Sequence, residues 1–397
     1  MSRRIELFLA ACLYYSGLIA VARWWTQRSR QHLVILCYHN ADGRNLRQHL
    51  RYLRRHYRIL HLEEALEGFY APSTRKKQKR GRTPLVLTFD DGYQDNYTYA
   101  FALARELRVP FTIFLVPGYI ESGHCFWWQE DKRLLSYAQV NEVTVEGHTY
   151  CLDKVDESKA LAQVIATRVR CATSVVEREK FLAGMRKVLI EMAPVFAEEK
   201  TTLPLTWAQV QTMKESGWVS FGAHTMHHPT LACLTTATEV QYEVSQCRTV
   251  LERHLNYPVR TFAYPIGQLE DIGDHGLHAV QKANYSWALT TIDGFNTLQT
   301  NPYLLRRIVV DVDQHWLQVA AKASGIWGAL SHLYWKYGSC HASIFASTSV
   351  SFGNFANRFF FKFSRNIQVI SASFQEAHSR INAKPCSGSA TVTTLTV

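Results

Sequence analysis

Asp90 and Asp91 stand side by side at the end of the apolar run Pro84–Phe89, and Gly92 follows them. Adjacent carboxylates repel each other and lose hydration on burial, so a nearby cation is what lets both stay ionised. A helix cap would account for one acid ahead of the stretch 93–108, which reads as a helix, but not for two. Far along the chain His224, His227 and His228 crowd into GAHTMHHP. On a helix the spacing of His224 and His228 would turn both imidazoles to one face. Here an apolar run precedes them, Pro229 follows and no glutamate comes after the first histidine, so they belong on a loop at a strand end. Two imidazoles and one carboxylate make the usual donor set of a catalytic divalent-metal site with positions open to water and substrate. His227 could stand in for His228.

Such residues need elements that bring them together, and the chain supplies an alternation. Runs of apolar residues at 32–38, 84–89, 110–116, 219–223, 259–264, 286–290 and 305–310 read as strands. Between them come helical stretches at 46–57, 93–108, 206–217, 239–254 and near 276–283, with a further short helix expected over 59–69. Strand followed by helix, repeated, means parallel strands, and about seven of them predict an α/β fold of the distorted (β/α) barrel type. Chemistry in such barrels gathers at the carboxyl ends of strands, where Asp90, His224 and Pro265 fall and where His39 follows the first strand. In GHCFWW, 123–128, the aromatic rings could stack on a sugar or form a packed cluster.

The chain has 397 residues, 47% of them hydrophobic and 12% aromatic, enough for one large α/β domain with additions and against global disorder. The net charge of +11 is concentrated in 44–58 and 73–82 rather than on a nucleic-acid module, so no nucleic-acid partner is expected. Nine scattered cysteines without a C-x-x-C argue against a zinc knuckle or a dense disulfide scaffold. Residues 5–21 are apolar apart from Glu6, follow Arg3 and Arg4, and lead into Trp24, Trp25, Arg28 and Arg30. This reads as a membrane segment, a signal anchor or a signal peptide over 1–30, with the protein membrane-associated and facing the outside of the cell. The main domain is expected over 31–320, interrupted by a helical insertion at about 150–203. Residues 321–397 form an extension of unknown role, partly disordered.

Three stretches carry a family resemblance. Thr88-Phe89-Asp90-Asp91-Gly92 is similar to the TFDDG signature of the polysaccharide deacetylases with the NodB homology domain, carbohydrate esterase family 4. His224–Pro229 resembles that family's H-[ST]-x-x-H-P motif, and Phe262–Gly267 its proline-and-glycine motif. The resemblance implies a divalent metal on Asp91, His224 and His228, zinc before cobalt, nickel or manganese, with Asp90 as the base toward the attacking water. It also implies an oxyanion donor near Tyr264, with Tyr264 and Pro265 against the substrate; His39, after the first strand, either lines the pocket against the substrate or is a structural histidine. The family's base-orienting arginine is replaced here by Ala263, and Arg307 is the expected substitute; His315, or else His278, is the expected proton donor. The implied function is removal of N-acetyl groups from amino sugars of a cell-surface polysaccharide, with no obligate protein partner. An amidase acting on another amide, or a catalytically silent glycan-binding or membrane scaffold protein, are the alternatives.

Overall fold

The computed structural model describes residues 3–29, 31–71, 81–190, 203–328 and 393–395. In chain order the first half comprises α1 (Arg3–Tyr15), α2 (Leu18–Ser29), β1 (Val34–Tyr38), α3 (Leu46–His56), β2 (Arg58–Leu60), α4 (Leu62–Tyr70), β3 (Pro84–Phe89), α5 (Ala102–Leu107) and β4 (Phe111–Leu115). There follow α6 (Pro117–Ser122), α7 (Glu130–Ser136), the pair β5 (Glu142–Val145) and β6 (His148–Cys151), α8 (Val155–Arg170), α9 (Val175–Leu189) and α10 (Trp207–Glu215). The rest is β7 (Val219–Ala223), α11 (Ala237–Leu255), β8 (Thr261–Ala263), α12 (Leu269–Lys282), β9 (Trp287–Leu289), β10 (Ile308–Val309), α13 (Trp316–Ala323) and β11 (Thr393–Leu395).

The main sheet is parallel and has the order β10-β1-β3-β4-β7-β8-β9, with β2 added beside β3. It curls until Leu305, just ahead of β10, bridges Leu289 of β9, so its two ends meet at one point rather than along a ladder. The apolar runs are continuous because both faces of each strand are covered. Val34, Leu36, Leu87, Phe89 and Ile113 pack outward under the helices. Ile35, Val86, Phe114, Ala263 and Leu289 point into the curl, where α4 closes one end with Leu62, Leu66 and Phe69. Thr88 and Asp90 continue the inward row of Val86, so the alternation of β3 aims Asp90 at the inside of the curl.

Several expectations are corrected. The helix expected over 59–69 is preceded by β2, and the stretch after Gly92 winds as a π-helix over Asn96–Phe101 before α5. The insertion is not purely helical: it opens with the antiparallel hairpin β5–β6, and β11, in what read as a weakly ordered tail, pairs with β5 in parallel. With α7, α8 and α9 the hairpin encloses a separate apolar core of Phe126, Leu134, Val143, Leu161, Ile165 and Leu182. The boundary placed at 320 falls inside α13, whose apolar face belongs to the main core. Most of 73–82 and nearly all of 321–397 lie outside the described residues. Among the described residues no single helix is long and apolar enough to cross a membrane; α1 and α2 pass that test only as a pair, bent by 69°.

Candidate active site

The strand ends set the geometry. Asp90 leaves β3 with its N–H on the Tyr38 carbonyl at 2.9 Å. Asp91 then takes a left-handed backbone, φ 71°, uncommon for a residue with a side chain and a conformation that clusters at functional sites. Gly92 continues the turn at φ 74°, where a Cβ would stand 2.8 Å from Leu115 Cδ2. At the end of β7, His224 donates its Nδ1–H to the Ala263 carbonyl at 2.7 Å, which leaves Nε2 with its lone pair toward Asp91. Thr225 Oγ1 accepts the His228 N–H at 2.9 Å and donates to the His224 carbonyl at 2.6 Å, a local clamp that explains a hydroxyl residue after the first histidine. His228 is also left-handed, φ 55°, and its carbonyl accepts from Trp127 Nε1 at 2.9 Å. His227 is engaged elsewhere: its Nδ1 and backbone N–H both meet the buried Glu243 carboxylate, at 2.7 and 2.8 Å.

Donor atoms of Asp91, His224 and His228 lie within 4.8 Å of one another, all three residues buried. Both Nε2 atoms are 3.5 Å from Asp91 Oδ1, and neither contact is a good hydrogen bond, since the proton of His224 is on Nδ1. Asp91 Oδ1 is buried without a hydrogen-bond partner among the described residues. An orphaned carboxylate oxygen facing the Nε2 atoms of two imidazoles is the donor set a divalent cation takes, and the residues fit one. Burial works to raise the Asp91 carboxyl, but the imidazoles of His224, His228 and His39 around it outweigh that and hold it below its ordinary value. Burial, then the neighbouring His224, push His228 down to about 3, so it stays a neutral ligand.

Asp90 is held from the far end of the sequence. Arg307, wholly buried two residues after the Leu305 bridge, donates Nη1 to Asp90 Oδ1 at 2.7 Å and Nη2 to Oδ2 at 2.6 Å. Its Nε donates to the Thr290 carbonyl at 2.8 Å, and Nη1 also reaches Thr88 Oγ1 at 3.2 Å. The Cys37 thiol lies 3.4 Å from Asp90 Oδ2. Burial raises the Asp90 carboxyl, but the Arg307 guanidinium and His224 overcome that and keep it ionised far below the usual carboxylate range. Burial raises the Cys37 thiol strongly, so it stays protonated and can donate to that carboxylate.

Above these residues opens a cavity of about 790 Å³ lined by His39, Asp90, Asp91, His224, His228 and Ile266, with Trp127 and Trp128 on one wall. Four expected residues are not brought to it. His315 caps α13, its Nδ1 accepting the Leu317 N–H at 3.3 Å, and His278 is exposed on α12. Tyr264 turns into the core with its hydroxyl on the Tyr303 carbonyl at 3.1 Å, and its N–H is already bonded to the Leu289 carbonyl at 3.0 Å, so it is not free for an oxyanion. Pro265 is buried beside it, and Ile266, left-handed at φ 61°, faces the cavity instead. Sequence reasoning missed the wall from the insertion, Ala166, Val169 and Arg170 of α8. It also missed Asp95, whose Oδ2 accepts the N–H groups of Ala41 and Asp42 at 2.7 and 3.0 Å and so fixes the loop after β1. Of the two readings of GHCFWW the packed cluster is present, with Phe126 and Trp128 stacked at centroids 4.6 Å apart, and Trp128 also borders the cavity 4.3 Å from the His228 ring.

A family model described as polysaccharide deacetylase matches residues 77–287, a little over half of the chain. YxkH of Bacillus subtilis, named as a candidate polysaccharide deacetylase, is 26% identical over 135 residues, 32% of this chain and 45% of that protein. The match thus spans a little under half the length of that curated relative. Among solved structures, the deacetylase PplD of Streptococcus pyogenes, in complex with acetate, aligns at 17% identity and a TM-score of 0.48, covering 74% of this chain and 98% of that one. IcaB of Ammonifex degensii aligns at 20% identity and 0.47, covering 74% and 97%. On the match over 77–287, which contains Asp90, Asp91, His224 and His228, the chain belongs to the polysaccharide deacetylase family, whose members are hydrolases of amide bonds.

Proposed function

We propose that the protein is a metal-dependent hydrolase that removes N-acetyl groups from amino sugars of a cell-surface polysaccharide. One observation carries the reading: a metal-capable triad and a separately anchored carboxylate share the floor of one cavity. Asp91, His224 and His228 would hold the cation, zinc in the first instance. When bound, the cation acidifies water and polarises an amide carbonyl. Asp90, kept ionised by Arg307, takes the proton of the attacking water; the water oxygen bonds to the acetyl carbon, the C–N bond breaks, and acetate and a free amine leave. The backbone beside Ile266 is the oxyanion donor in this reading. The cavity falls in the size range that encloses a small ligand, and the indoles of Trp127 and Trp128 offer a sugar an apolar wall. A silent scaffold protein on this fold would be favoured by the arginine missing at Ala263 and by the lack of an evident proton donor; the Arg307 contact to Asp90 speaks against the first.

The leaving amine needs a proton. With His315 and His278 elsewhere, His39 is the lining histidine outside the triad, and its ring lies within 4.8 Å of Asp90 and Cys37 donor atoms. His39→Gln is expected to lower kcat by about 10²-fold with KM and metal content nearly unchanged. Wild-type kcat in that variant would remove His39 from the reaction.

Acetate release from N-acetylglucosamine oligomers, followed before and after dialysis against a chelator, tests the whole. Activity should vanish with the metal and return on adding Zn²⁺ or Co²⁺. Undiminished turnover by chelated, metal-free protein would refute the reading.

A further inference from the structure

The amino-terminal helices present two unlike faces. One is packed on the body: Ala10 and Ile19 are fully buried, Tyr14 meets the Trp316 ring edge-on at 5.0 Å, Gln318 reaches Glu6 at 3.4 Å, and Arg23 donates to Tyr52 at 3.0 Å. The other is bare. Of fourteen large hydrophobic side chains exposed among the described residues, seven lie on these two helices, including Phe8, Leu18, Val21, Trp24 and Trp25. Leu18, Val21, Trp25 and Arg28 recur at helical spacing on one side of α2, and the Arg28 guanidinium lies 5.4 Å from the Trp24 ring. Helices of 13 and 12 residues are about 20 and 18 Å long, short of a hydrocarbon core of about 30 Å. A helix with one flank in a protein core also cannot be ringed by lipid.

Beside α2, the next helix carries a basic recess. Arg51, Arg54, Arg55 and Arg82 line a cavity of about 480 Å³, with Leu107 the other lining residue among those described. Its inner contacts are to main-chain carbonyls, Arg54 to Leu107 at 2.8 Å and Arg82 to Arg54 at 2.9 Å, and among the described residues no carboxylate lines it. Glu106, next to the lining residue Leu107, is paired with Arg47. His56 registers the field: burial first, then Arg23, Arg55 and Arg82, push it down to about 4.

We propose that the bare face of α1–α2 and the arginine recess of α3 together form a docking surface for an anionic lipid headgroup layer, with the helices lying in its plane rather than crossing it. Indole and aliphatic side chains enter the acyl boundary, and the guanidinium groups take lipid phosphates. Because Arg3 at the start of α1 contacts Asp311 on the cavity wall, at 3.4 Å, docking would hold the cavity rim beside the membrane. The proposal does not depend on the hydrolase reading.

The test uses the full chain with vesicles of phosphatidylcholine alone and of phosphatidylcholine with one quarter phosphatidylglycerol. Sedimentation with the anionic vesicles should be at least about tenfold stronger, and it should fall about tenfold or more in Trp24→Ser/Trp25→Ser and in Arg54→Glu/Arg55→Glu. Both pairs are exposed, and unchanged circular dichroism and melting temperature keep a loss from being one of folding. Fluorescence that disappears in the tryptophan variant should be quenched by lipids brominated near the headgroup. Failure of the full chain to bind, full binding by either variant, or quenching only by bromine near the bilayer centre would each overturn the proposal. So would millimolar inorganic phosphate occupying the recess while vesicles are ignored, since the ligand would then be a free anion.

Discussion

Arg307→Met is expected to reduce both stability and turnover, because it strips a fully buried carboxylate of its two-point partner. Breaking such a pair from one side typically costs about 3–5 kcal/mol, since the remaining charge stays in a poor dielectric. Here Asp90 is 1% exposed and both its oxygens face the guanidinium. Turnover should fall by about 10²-fold or more as the base loses its orientation. Arg307→Lys separates the two effects. An ammonium restores charge but cannot fork across both oxygens, so stability should recover in part while kcat stays low. The gap between wild type and Arg307→Met should also depend on pH. The folded Asp90 carboxyl titrates below its ordinary value, so its contribution is complete at neutral pH and fades as pH drops below about 4. Urea unfolding at pH 7 and at about pH 3, with acetate release at pH 7, reads all of this; a Met variant with native kcat/KM would dismiss Arg307 as a positioning residue.

Asp90→Asn should lower kcat by about 10³-fold, within the range general bases contribute, while metal content stays stoichiometric because the triad of Asp91, His224 and His228 is untouched. KM should move little. Asp91→Asn should do the reverse in order: metal is lost first and activity with it. Metal analysis beside turnover distinguishes the two acids, and a metal-free Asp90→Asn protein would show that their roles have been assigned the wrong way round.

The motif residues were legible because their chemistry is local to short stretches: two acids after a buried strand, and two imidazoles before a proline. The parallel sheet followed from strand-like runs alternating with helices. Arg307 could be named only as a substitute, since nothing around it in LLRRIVV marks one arginine as inward; the bridge at Leu305 decides that. His315 and Tyr264 misled for opposite reasons. His315 is taken up in capping α13, and Tyr264 falls on the same outer side as Phe262, away from the inward Ala263. The wall from α8 was out of reach, because Ala166, Val169 and Arg170 carry no chemical signature, and only the insertion's own core holds them there. The apolar start of the chain was legible as a membrane signal, but not as a bent pair with one flank on Trp316 and Tyr52, because a contact so distant in sequence leaves no mark on hydropathy.

The sheet order places β10, the last of its strands to be made, beside β1, the first. Ribosomes add about 5–20 residues per second, so Asp90 waits roughly 10–45 s before β10 and its neighbour Arg307 emerge. Throughout that interval the growing polypeptide carries an acidic pair without the guanidinium of Arg307, and this centre can be completed only after 307 residues have been made.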